Sequence, residues 1–128
     1  LNAVPGCIYT DPEIASVGIT EDEAKAQGIP VKKGKYLMTG NGRSIIDEQE
    51  RGFIKVIAHA ETDVILGTQL MCARATDIVS ELSTAIVNGL TCAQLASVIR
   101  PHPTFCEGVT EAVEDVHGMA IHLAPKKR

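Results

Sequence analysis

The sequence predicts an α+β domain: an antiparallel sheet with helices laid against it. Strand-like runs fill the first part of the chain, helical periodicity takes over after Ala75, and a composition of 45% hydrophobic residues over 128 positions supplies one core. The order matters, because strands joined by short turn segments and followed by helices do not build the alternating units of a parallel sheet.

Val4 to Thr10 is a short β-leaning run closed by Asp11-Pro12. Asp11-Pro12-Glu13 places two carboxylates in what reads as a solvated turn positioning the segment that follows; acid/base use of that pair is the sharper alternative. Thr20-Glu21-Asp22-Glu23 has the form of a capping box and Gly28 supplies a stop, so a polar surface helix of about two turns lies between them. Val31 to Met38 predicts a strand with lysines outward. Thr39 to Gln49 is the least regular stretch, with a turn at Gly40-Asn41-Gly42. Phe53–Ile57 and Val64–Met71 are the clearest strands, and residues 59–63 form the hairpin between them, which makes Phe53 and Met71 core candidates.

After Ala75 the period changes. Ile78, Leu82, Ala85 and Ile86 share a helical face that Val79 widens, and Asn88-Gly89 ends it. Thr91 starts a short helix with Leu95, Val98 and Ile99 as apolar positions. Phe105, Val109, Ala112, Val113 and Val116 form the stripe of a last helix that stops near Gly118, leaving residues 118–128 as a flexible tail.

Composition narrows the function classes. The net charge is -4 with both signs interspersed, and only Lys126-Lys127-Arg128 forms a basic cluster, read as a solvated end. Aromatic content of 3% leaves no base-stacking platform, so no nucleic-acid partner is expected. No signal-peptide core and no run long enough to span a bilayer occurs, so no membrane association is expected. Cys7, Cys72, Cys92 and Cys106 include no C-x-x-C and no zinc-ligand spacing; they read as four reduced thiols of a cytoplasmic protein, with no metal site. The start at Leu1-Asn2-Ala3, without methionine, reads as a piece of something longer.

The segment that carries chemistry is Arg100-Pro101-His102-Pro103-Thr104-Phe105-Cys106-Glu107. Proline disfavours the α conformation in the residue before it, so His102 is expected extended on a stiff platform just ahead of a helix. Imidazole titrates near neutrality, and a carboxylate five residues on can hold one ring nitrogen while the other moves a proton. The eleven glycines are scattered, with no G-x-G-x-x-G or Walker-type run, so His102 reads as half of a site whose other half lies elsewhere. Plainer readings stand beside this. Thr104 to Glu107 is itself a capping-box pattern, a lone histidine in a turn is commonly structural, and Cys106 at a helix start invites a cysteine-nucleophile reading that no second motif supports. His59, His117 and His122 lack a comparable frame and read as surface or helix-end residues.

Four segments in order, Tyr9–Gly18, Gly52–Val56, Thr62–Gly67 and His102–Glu107, resemble the C-terminal interface domain of the dihydrolipoamide dehydrogenases, in the pyridine nucleotide-disulfide oxidoreductase family. The resemblance covers about residues 4 to 117, nearly the whole chain. It implies one interface domain over 1–128, part of a longer flavoenzyme whose FAD and NAD lie in preceding domains; no cofactor is expected on this piece alone, and no activity. It further implies a homodimer in which His102 reaches the partner's redox disulfide as acid/base, Glu107 orients it, and His102 and Pro103 touch the partner's FAD through the backbone, with a cis His102-Pro103 bond. The helix of Phe105, Val109 and Val113 would lie near the dimer contact. The reaction implied is dihydrolipoamide and NAD+ giving lipoamide and NADH, in service of a 2-oxo acid dehydrogenase or glycine cleavage complex. Relatives often carry His or Ala around Arg100 and Pro101, and a small serine where Cys106 stands. A stand-alone module of this fold, a Cys/His or metal module, or a mercuric or glutathione reductase-like enzyme remain the rivals; the chain lacks the terminal vicinal cysteines of the mercuric branch and runs on past Glu107, unlike the glutathione branch.

Overall fold

The computed structural model describes residues 3–123; Leu1-Asn2 and the Lys126-Lys127-Arg128 cluster lie outside the described residues. Five strands, β1 (Gly6–Ile8), β2 (Glu13–Gly18), β3 (Val31–Leu37), β4 (Phe53–His59) and β5 (Ile65–Cys72), form one antiparallel sheet in the order β1-β2-β5-β4-β3. Five α-helices accompany it: α1 (Glu21–Ala26), α2 (Gly42–Ile46), α3 (Ala75–Val87), α4 (Cys92–Ala96) and α5 (Glu107–Val116).

Period-two alternation gives the sheet one apolar face. Ala15 and Val17 on β2, Leu70 and Cys72 on β5, Ile54 and Val56 on β4, and Tyr36 on β3 all lie at or below 2% exposure and join one cluster. Register explains the layering, since Tyr36 pairs with Ile54, which pairs with Leu70, which pairs with Ala15. Helix α3 covers the β2–β5 half, and α5 covers β3 and β4. Gly34 makes the second contact possible: a Cβ there would stand 2.1 Å from the Ala112 carbonyl oxygen. On the outer face Glu21 of α1 pairs with Lys33 and Lys55, beside the separately buried Ala24 and Ile57.

Several expectations need correction. The segment after Asp11-Pro12 is a strand in mid-sheet: Glu13 accepts from the Thr76 amide and hydroxyl at the start of α3, so it works as a tether between strand and helix. The irregular stretch holds α2, capped by Asn41, whose side-chain oxygen accepts from the Ser44 amide. Helix α4 ends at Ala96, leaving Ile99 96% exposed. Val109 and Val113 are fully buried, so the side of α5 that carries them faces the domain's own core. The Thr20-Glu23 capping box and the Asn88-Gly89 stop occur as the sequence predicts. Among the described residues no helix is long and apolar enough to cross a membrane.

Candidate functional site

His102 and Glu107 meet as their spacing suggests. The imidazole Nδ1 lies 2.9 Å and 3.1 Å from the two carboxylate oxygens, and the same Glu107 accepts the Thr104 amide at 2.9 Å. Glu107 therefore carries half of the capping box and the imidazole together. The other half is absent: α5 begins two residues later than the box requires, with Cys106 at its cap, and the Thr104 hydroxyl donates to the Pro101 carbonyl instead. The loop thereby closes on itself around two prolines. The His102-Pro103 bond is cis, as the resemblance implies, and so is Asp11-Pro12.

A neutral imidazole facing a carboxylate at Nδ1 carries its proton there, which leaves the Nε2 lone pair for chemistry. Nothing among the described residues bonds to Nε2, and the side chain is 74% exposed. The pair opens into a cleft of about 430 Å³ whose walls include Tyr36, Asn41, Ile99, Arg100, Glu111 and His122. Burial, then the charges of Glu111 and Glu107, pushes the Tyr36 phenol up to about 12, so it stays protonated at neutral pH. Asn41, 4% exposed, donates to the Thr104 carbonyl and so fixes the loop from the α2 side.

Helix α5 repeats the device twice more. Glu111, one turn after Glu107, accepts the amides of Ile121 and His122 and faces the His122 ring at 2.7 Å; it ties residues 121–122 of the expected tail to the helix. Asp115, a further turn on, accepts the Lys35 amide of the edge strand β3 at 2.9 Å. The other histidines have local duties: His59 Nδ1 accepts from the amides of Glu61 and Thr62, and His117 Nε2 meets Asp63 at 2.7 Å.

Cys106 Sγ lies 3.1 Å from the Thr104 hydroxyl and lines a separate groove with Arg43 and Arg74, while the imidazole is engaged by Glu107; the cysteine-nucleophile reading gains no support. Cys72 and Cys92 are buried, which pushes both thiols up to about 12. All four cysteines are unpaired. Among the described residues no three His, Cys, Asp or Glu side chains converge as a metal site requires.

A model of the pyridine nucleotide-disulphide oxidoreductase dimerisation domain matches residues 4–113. The chain belongs to this family. It is 42% identical over 120 residues to a dihydrolipoyl dehydrogenase of Thermus scotoductus, covering 94% of this chain and 26% of the relative. A dihydrolipoyl dehydrogenase of Bacillus subtilis is 44% identical over 120 residues, with 94% and 25% covered. The crystal structure of LpdA from Mycobacterium tuberculosis superposes with a TM-score of 0.85 at 25% identity, covering 91% of this chain and 25% of that one. The HOCl-induced flavoprotein disulfide reductase RclA from Escherichia coli shares the fold, with a TM-score of 0.85 at 23% identity over 89% of this chain and 26% of its own. The chain spans about a quarter of the length of these relatives.

For a dimerisation domain of this family, the cleft residues that the sequence reading passed over are Arg100, Asn41, Tyr36 and Glu111. Only Asn41 left a usable local signal, since Asn41-Gly-Arg-Ser44 has the form of a side-chain cap. The others act through partners distant in sequence.

Proposed function

We propose that this domain completes the disulfide site of a homodimeric dihydrolipoyl dehydrogenase, with His102 as acid/base toward the partner subunit and Glu107 as its orienting carboxylate. The observation that carries the reading is the His102–Glu107 pair, in which Nδ1 is held and Nε2 faces outward from an exposed ring. In the reaction proposed, dihydrolipoamide loses two electrons and two protons to become lipoamide, NAD+ takes a hydride, and one proton is released. Nε2 would take a thiol proton so that the sulfur can attack as thiolate, and would return it to the departing sulfur. Glu107 would stabilise the imidazolium between those events.

FAD would carry the electron pair from the disulfide to NAD in the parent enzyme. The described residues suit only an edge contact with it. Every strand pairing is antiparallel and no glycine-rich phosphate loop occurs, yet nothing described donates to the His102 carbonyl, so the backbone of His102 and Pro103 is open to a neighbouring ring system. FAD and NAD would therefore be held by preceding domains. Residues 1–128 would form the interface domain of that longer chain, which works in the cytoplasm with a 2-oxo acid dehydrogenase or glycine cleavage complex; four unpaired thiols suit that compartment.

The test uses the full-length flavoenzyme. His102→Gln should slow reduction by dihydrolipoamide by about 10²–10⁴-fold and largely spare electron flow from NADH to a dye, which needs no thiol proton. Glu107→Gln should fall between. Heterodimers of His102→Gln chains with chains lacking the redox disulfide hold one intact composite site and should regain part of the activity. Wild-type rates in the His102→Gln homodimer would overturn the assignment.

A further inference from the structure

We infer that Arg100 is a positioning residue for His102, a strut holding the imidazole-bearing segment against three helices. The inference rests on the proposed role of His102. From residue 97 to 102 every side chain is exposed except that of Arg100, which is 5% exposed. This run therefore has one inward anchor. The guanidinium donates to Glu81 on α3, to the Thr110 hydroxyl on α5 and to the Leu95 carbonyl on α4 at 3.5 Å, with the Val98 carbonyl just beyond α4 at 3.3 Å. Thr110 lies three residues after Glu107, so the carboxylate that holds the ring and the hydroxyl that holds the strut ride on one rigid helix.

The chemistry of the linkage makes this tether informative. Between Arg100 and His102 stands Pro101, and Pro103 follows; both prolines have fixed φ, and each restricts the residue before it. Few torsions remain free along the segment, so fixing Arg100 fixes where the His102 ring originates. Glu107 constrains the ring only through Nδ1. A buried guanidinium is costly, and this one keeps a buried Nε–H that finds no partner among the described residues. An apolar side chain would fill the space without that cost. It would not supply directional bonds to three elements, which is the property a positioned acid/base needs.

The test again uses the full-length flavoenzyme and compares Arg100→Met, Arg100→Lys and His102→Gln with the double variants. Arg100→Met should lower kcat with dihydrolipoamide by up to about a hundredfold, as a misplacement of roughly 1 Å can. The KM for NAD and the NADH-to-dye rate should stay within about twofold of wild type, by the same positioning argument. Arg100→Lys, which keeps a charge for Glu81 but loses the fork, should lie between the two. In the His102→Gln background, either Arg100 change should add less than about a twofold further loss, because the effect passes through the imidazole. Should Arg100→Met fail to fold, the Arg100→Lys cycle gives the same readout. Wild-type kcat in both Arg100 variants would overturn the inference, as would an equal fractional loss with and without His102, or a parallel fall in dye reduction. If His102→Gln alone runs at the wild-type rate, the reading of His102 fails first, and this inference fails with it.

Discussion

At Glu107 one carboxylate satisfies a backbone amide and an imidazole together. The two demands separate on substitution. Glu107→Ala removes the acceptor for the Thr104 amide and should cost about 1–3 kcal/mol in chemical denaturation of this chain, whereas Glu107→Gln keeps an acceptor and should cost distinctly less. Equal losses would mean that the amide contact contributes nothing. Asn41→Ala should cost a similar amount, about 1–2 kcal/mol, because the cap of α2 and the Thr104 carbonyl are both released. The His102–Glu107 pair was legible in the sequence because its frame is local: two prolines, a histidine and a carboxylate within seven residues. Arg100 was not, since Glu81 and Thr110 reach it only after α3 and α5 have packed.

At the scale of elements, α5 decides the architecture of the site. Its apolar stripe was readable from period alone, and Val109, Ala112 and Val113 are indeed buried. The burial of Glu111 and Asp115 was not readable, because acidic residues on a helix normally mark the wet face; here each meets a backbone donor from another segment. Strand β2 escaped notice for a different reason. Of its six residues only Ala15 and Val17 bring buried apolar side chains to the inner face, too few and too small to set a period against the turn signal of Asp11-Pro12. Gly34→Ala tests the seating of α5 on β3. The added methyl would meet helix backbone, which cannot swing aside, so destabilisation of about 1–3 kcal/mol or more is expected from the denaturation midpoint. An unchanged midpoint would show that the helix rides higher than described.

At the scale of the whole molecule, Asp63 joins four parts of the chain. It sits in the β4–β5 hairpin and takes bonds from Lys32 on β3, the Ala93 amide on α4 and His117 at the end of α5. Burial pushes its carboxyl up, but the bonds from Lys32, His117 and Ala93 outweigh it, and the net direction is downward. A carboxyl held below its unfolded value, about 3.9, contributes stability that is fully present above that pH and is lost as pH falls through the lower folded value. Asp63 has φ near 66°, which asparagine tolerates, so Asp63→Asn isolates the charge. The variant should be less stable at neutral pH, and the gap should close below about pH 4 in denaturation measured across pH; a gap independent of pH would reject the linkage. For the dimer, Ile99 is the apolar side chain most open to solvent beside the His102 cleft. Ile99→Lys in the full-length protein should shift sedimentation toward monomer, and an unaltered dimer would place the contact elsewhere.

The three carboxylates of α5 also make the helix a ruler. Glu107, Glu111 and Asp115 are four residues apart, so they follow one side of the helix and hold the His102 loop, the segment at residues 121–122 and the sheet edge in fixed phase. One residue inserted between Glu107 and Asp115 would turn everything beyond it by about 100° and advance it by about 1.5 Å, unhooking at least one segment whatever residue was added. Substitutions along α5 can be absorbed one at a time, whereas a change in its length cannot. The distance along the chain from Glu107 to Asp115 is therefore a stricter requirement of this domain than the identity of most residues between them.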